Sequence, residues 1–146
     1  MSQFAADIVR VARSKAGRQD WLYGTAKDNF KENTHKCNQF VYDVMVEAGV
    51  KPLPVVPYRF ISTRPPTAGE WASLFQKIDG WEVVTDPQPG DVVAEAANYS
   101  DATGHVGIVV GDKLTASASA KEGGLVVEND WGFRSDSKPT FRRCTT

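Results

Sequence analysis

Only two cysteines and two histidines occur in the 146 residues, so thiol, imidazole or metal chemistry has few partners and a disulfide framework is not on offer. A single Cys37–Cys144 bridge in an oxidising compartment stays open. Long apolar runs are missing too: the N-terminal "MSQFAADIVRVARSKAG" is broken by Asp7, Arg10 and Arg13, so it is neither a secretory core nor a membrane span. The chain is therefore expected to be made in the cytoplasm without a signal peptide. There is no excess of one charge: 17 Lys and Arg face 18 Asp and Glu, for a net charge of -1. No broad field draws it to nucleic acid or to an anionic membrane, so neither is expected as a partner. Low-complexity stretches are absent as well. A chain of this length buries about two thirds of its unfolded surface, and residues 1–146 are expected to form a single domain.

What is present reads as two or three helices followed by strands. Ser2 caps an expected first helix on which Phe4, Ile8, Val11 and Ala12 recur at helical spacing, ending at Lys15–Gly17. A second helix is expected after Asn33 or Thr34, with Cys37, Phe40, Val41, Val44, Met45 and Ala48 at steps of three and four and Gly49 as its stop. Five prolines fall in "KPLPVVPYRFISTRPPTAG", residues 51–69, which predicts a stiff extended loop able to wall a groove. Trp71 to Ile78 reads as a short helix. Strands are expected over 91–97, 105–110, 114–119 and 125–131, with "TFRRC" as a closing edge strand. Short turns at Gly111-Asp112 and Gly123-Gly124 make the sheet antiparallel, and the fold class α+β.

Three stretches carry chemistry. In "THKCNQFVYDV", Cys37 falls in the first turn of the second helix if Thr34 is the N-cap, where free N–H groups and the helix dipole favour a thiolate. On position alone it reads rather as a small core residue, which is what most free cysteines are. In "TGHVGIVVGDK", His105 opens a β-branched strand, and Gly107, two residues on, keeps the same face clear and leaves room for a substrate. In "LVVENDWGF", Asn129 shares a strand face with Leu125, Val127 and Trp131, and its amide can fix the tautomer of a histidine. A turn at the strand end explains the Asn-Asp pair as well.

Together, "KCNQFVYDV", "PQPGDVV", "GHVGIVVG" and "ENDWG" resemble the papain-like amidase and peptidase group called NlpC/P60 and its CHAP relatives, over about residues 20–132. The resemblance implies a papain-like α+β fold, with N-terminal helices packed on an antiparallel sheet. It makes Cys37 the nucleophile and His105 the general base, and implies no cofactor and no metal. The group often places a third polar residue about a dozen positions after the base, where this chain has Ser117. Its CHAP and papain patterns instead take an asparagine before Trp-Gly, which selects Asn129, with Asp130 and Ser117 in reserve. A tyrosine near the oxyanion corresponds to "WLYG", making Trp21 and Tyr23 the substrate-side candidates beside the backbone N–H of Cys37.

The substrate so implied is peptidoglycan: an amide of the peptide stem or cross-link, between D-glutamate and diaminopimelate or between diaminopimelate and D-alanine. With no leader or wall-binding repeat expected, the chain is similar to small amidase effectors that bacteria deliver by type VI secretion; a phage lysin or a module cut from a larger toxin fits the same expectation. The likeness to the effectors implies an antibacterial toxin acting in a target cell's periplasm, a monomer, with a cognate immunity protein as partner. Other readings are a non-catalytic wall-binding module, an acyltransferase or deamidase on the same fold, and a zinc hydrolase using His35, Cys37 and His105. The last is disfavoured, because a His-x-Cys pair at a helix start points its side chains apart.

Overall fold

The computed structural model describes residues 3–21, 36–97, 104–119 and 123–146. Helix α1, Ala5–Ser14, buries Ala5, Ile8, Val11 and Ala12, positions that a 3.6-residue turn stacks on one face. Helix α2, Cys37–Glu47, does the same with Phe40, Val41, Val44 and Met45, each fully excluded from solvent. After α2 the chain turns at Gly49, whose φ of 77° suits a residue without a Cβ. Among the described residues no helix is long and apolar enough to cross a membrane.

The segment expected to be an irregular loop holds a hairpin instead. Strands β1, Val56–Tyr58, and β2, Ser62–Arg64, pair antiparallel, since a ribbon of two strands consists only of edges and an edge admits Pro57. Arg59, Phe60 and Ile61 form its tip. Thr67 then caps helix α3, Ala68–Ala72, in a reciprocal capping box with Glu70. The helix thus lies earlier than the expected 71–78, and Ile78 instead bridges to Trp81. Arg64 grips Glu70 through two hydrogen bonds of 2.6 and 3.0 Å, tying hairpin to helix.

The remaining strands are β3, Trp81–Val84; β4, Val92–Ala96; β5, Gly104–Gly111; β6, Leu114–Ala118; β7, Val126–Asn129; and β8, Thr140–Cys144. They form one antiparallel sheet in the order β3-β8-β4-β5-β6-β7. The fold is α+β with antiparallel sheets. β8 is not the edge strand its C-terminal position suggested: it lies between β3 and β4 and pairs with both. β3 had no counterpart in the sequence reading.

Register divides the sheet into two faces. Val92, Ala94, Val106, Ile108, Val110, Ala116, Ala118 and Val126 join the core of α1, α2 and α3. The alternate residues Val93, Glu95, His105, Gly107, Thr115, Ser117 and Asn129 stand on the other face, as the pairs Val93↔Gly107, Glu95↔His105 and Thr115↔Asn129 require. The segment after β7 crosses that face. A Cβ on Gly132 would come within 2.8 Å of Val93 Cγ2, so only glycine fits there.

Candidate active site

Cys37 is the first residue of α2, and Lys36 is its N-cap, without a side-chain capping bond. The helix thus opens later than a Thr34 cap would give, and Thr34 lies outside the described residues. The N–H groups of Cys37 and Asn38 have no intrahelical acceptor here, because the ladder begins with Phe40 N–H to Lys36 O at 3.0 Å. Expected as a thiolate, Cys37 instead has its thiol pushed up to about 11 by burial. Backbone groups of Val106, Asn38 and Cys37 pull the other way and do not offset it. With only 4% of the residue exposed, desolvation outweighs the helix dipole.

The Val106 backbone lies against the thiol, and Val106 follows His105 in β5. The sequence-predicted nucleophile at the start of α2 thus lies against β5 at the residue next to the sequence-predicted base. No hydrogen bond among the described residues joins thiol and ring. The ring's Nε2 lies 3.0 Å from Ser117 Oγ on β6. Trp131 packs edge-on against it, ring centres 4.5 Å apart at 82°. In the tautomer whose Nε2–H donates to Ser117 Oγ, Nδ1 is the basic nitrogen.

Asn129 was expected to hold the imidazole, and its side chain is engaged elsewhere. Its Oδ1 accepts the Trp131 N–H at 3.0 Å and the Thr115 hydroxyl at 3.5 Å. It shapes the turn that presents Trp131, and Ser117 is the hydroxyl on the ring. Asp130 is exposed and pairs with Arg134 at 2.7 Å. The space beside Gly107 is not open to substrate: a Cβ there would lie 2.8 Å from Ala116 O and 2.9 Å from Ser117 Cβ. β6 occupies it.

Trp21 does not serve as an oxyanion donor in this arrangement. It is 3% exposed, packs edge-on against Phe40, and gives its indole N–H to Asp43 at 2.9 Å. Asp43 also accepts from Gln39 at 2.8 Å. Tyr23 and His35 lie outside the described residues. Cys144 is a free thiol, as Cys37 is, buried in β8 opposite Trp81. The proline-rich segment does reach the site's helix: Asn38 Nδ2 donates to Pro66 O at 3.3 Å.

A helix-opening thiol, an imidazole on the adjoining strand and a hydroxyl on the ring's far nitrogen make a set of groups suited to nucleophilic acyl transfer. The chain belongs to the CHAP domain family, whose profile matches residues 26–122. This family is one of peptidoglycan hydrolases and amidases, within the papain-like NlpC/P60 superfamily that the sequence resembles. No curated protein is matched by the chain.

Proposed function

We propose that this chain is a cysteine amidase that hydrolyses a peptide-stem or cross-link amide of peptidoglycan. The observation that carries the reading is the meeting of the Cys37 thiol with the backbone at Val106, one residue from His105. In this mechanism Nδ1 of His105 takes the thiol proton, directly or through one water, as sulfur attacks the carbonyl carbon. The oxyanion is received by the N–H groups of Cys37 and Asn38, which have no intrahelical acceptor, a kind of donor worth about 3 kcal/mol of barrier. The amine leaves with the proton held by His105, and water activated by the same nitrogen then releases the acid and the thiol. Ser117 fixes the ring by bonding Nε2.

Digestion of purified sacculi, with mass identification of the released muropeptides, tests this. Release is expected from the D-glutamate–diaminopimelate or diaminopimelate–D-alanine bond, and none from Cys37→Ala. Disaccharide freed from an intact stem would move the cut to the bond beside muramic acid. Release unaffected by Cys37→Ala would end the cysteine mechanism.

A further inference from the structure

Glu95 stands directly opposite His105 in the β4–β5 pairing, so the two side chains share a face with Cβ atoms about 5 Å apart. This end of the pair is drawn close by Gly104, opposite Ala96 with φ of 153°. A Cβ on Gly104 would fall 2.1 Å from Glu95 O and 2.9 Å from Ala96 Cα. Only glycine lets the strands stay paired here, and the pairing holds the acid abreast of the base. One carboxylate oxygen is fixed, accepting the Lys138 backbone N–H at 3.2 Å.

We propose that Glu95 is a positioning residue for the candidate active site, a fixed carboxylate set across the sheet to stabilise the imidazolium of His105. The inference rests on reading His105 as the general base. Carboxylate and ring are not hydrogen-bonded, so Glu95 acts through space. An opposite charge a few ångströms away favours the charged form of a titrating group. Among the described groups around the ring, Glu95 is the carboxylate set directly opposite it. Ser117 on β6 and Trp131 are neutral, and burial keeps the Cys37 thiol at the start of α2 protonated. On the segment carrying Trp131, Asp130 and Arg134 pair with each other at 2.7 Å. Lys138 is exposed and contributes its backbone N–H. When His105 takes the thiol proton, the new positive charge forms beside a negative one already in place, without reorganisation.

The test uses the chain's two histidines, whose imidazole proton resonances are followed against pH and assigned with a His35→Gln variant. Glu95→Gln keeps an acceptor for the Lys138 N–H and removes only the charge. The His105 midpoint is expected to fall by about one pH unit in this variant and to return in Glu95→Asp. The acidic limb of kcat/KM on a stem peptide is expected to shift with it, and kcat to drop about tenfold. In the unsubstituted protein, salt at about 0.5 M is expected to lower the same midpoint by screening, a readout that needs no variant to fold. An unmoved midpoint in Glu95→Gln overturns the proposal. So does a KM increase confined to substrates with a free ammonium group, which would make Glu95 a substrate contact. The titration needs no turnover: a midpoint that moves in a protein without amidase activity supports the charge pairing and overturns the proposed function instead.

Discussion

His105 Nε2 and Ser117 Oγ lie 3.0 Å apart, with Ser117 only 1% exposed. A hydroxyl both donates and accepts, so Ser117 holds the ring in place while selecting a tautomer less firmly than a carboxylate or amide would. In the proposed mechanism the base is thus oriented from β6, and its charge is met from β4.

Ser117→Ala is expected to lower kcat/KM about tenfold with the fold intact, because it frees a ring that has to be aimed. Asn129→Ala is expected to cost less in activity and about 1 kcal/mol in stability, having removed the acceptor for the Trp131 N–H. Side-by-side kinetics and urea midpoints for the two variants check this. A larger kinetic loss at Asn129 would return the orienting role to the amide.

Burial sets the pH behaviour of Cys37. Its thiol is raised from 9.0 to about 11, so the neutral form is favoured by folding. Stability linked to this group is whole below pH 9, where the unfolded thiol is also protonated, and is lost as pH rises through 11. The loss approaches about 3 kcal/mol for a shift of this size. Urea midpoints between pH 8 and 11 should fall more steeply for the native chain than for Cys37→Ala. Iodoacetamide labelling of Cys37 in a His105→Ala background should rise with a midpoint near 11. A midpoint near 9 would mean that the thiol is reached by solvent more freely than its 4% exposure implies.

What could be read from the sequence was what local pattern carries. Apolar spacing placed α1 and α2 to within a few residues. The alternating runs gave β4 to β7, and the "GHVGIVV" and "KCNQF" stretches marked His105 and Cys37 as candidates. What escaped depends on pairing between distant segments. β3 and β8 meet because Trp81 pairs with Cys144 across most of the sheet-forming half of the chain, and no local signal announces that. Register likewise separates Ser117 from Asn129. Both are small polar residues on one face, but His105 leans toward Ser117, while Thr115 and the Trp131 N–H engage Asn129. Glu95 comes abreast of His105 only through the β4–β5 pairing, which no local pattern announces. The Cys37 thiol was misjudged because helix position is visible in sequence and depth of burial is not.

Arg142 is the residue most exposed to a stability test. It is 3% exposed, and its guanidinium donates to the carbonyls of Trp71 at 2.9 Å, Ser73 at 2.5 Å and Gln76 at 2.9 Å. Burial lowers its pKa, yet an arginine stays charged, and these acceptors at the end of α3 are what stabilise the charge. Arg142→Met should cost about 3 kcal/mol by leaving buried carbonyls unpaired. Arg142→Lys should recover only part of it, since one ammonium cannot span the fan of acceptors. Equal midpoints for Met and Lys variants would show that the fan geometry is not what matters.

Gly107 offers a way to move Ser117 without touching its chemistry. A methyl added here meets Ala116 O at 2.8 Å and Ser117 Cβ at 2.9 Å, distances that force β6 to shift by a few tenths of an ångström or more. The backbone oxygen cannot rotate away as a long side chain would, so the strain falls on the β5–β6 pairing next to the hydrogen bond between Ser117 and His105. Gly107→Ala is therefore expected to destabilise the fold by about 1 to 3 kcal/mol, the usual cost of overpacking. It should also reduce kcat/KM at least as much as Ser117→Ala does. The double variant Gly107→Ala with Ser117→Ala separates the two effects. If the glycine acts through Ser117, the activity losses of the two changes should not multiply, because neighbours that share one interaction are not additive. Fully multiplicative losses would show that the methyl disturbs the base by another route.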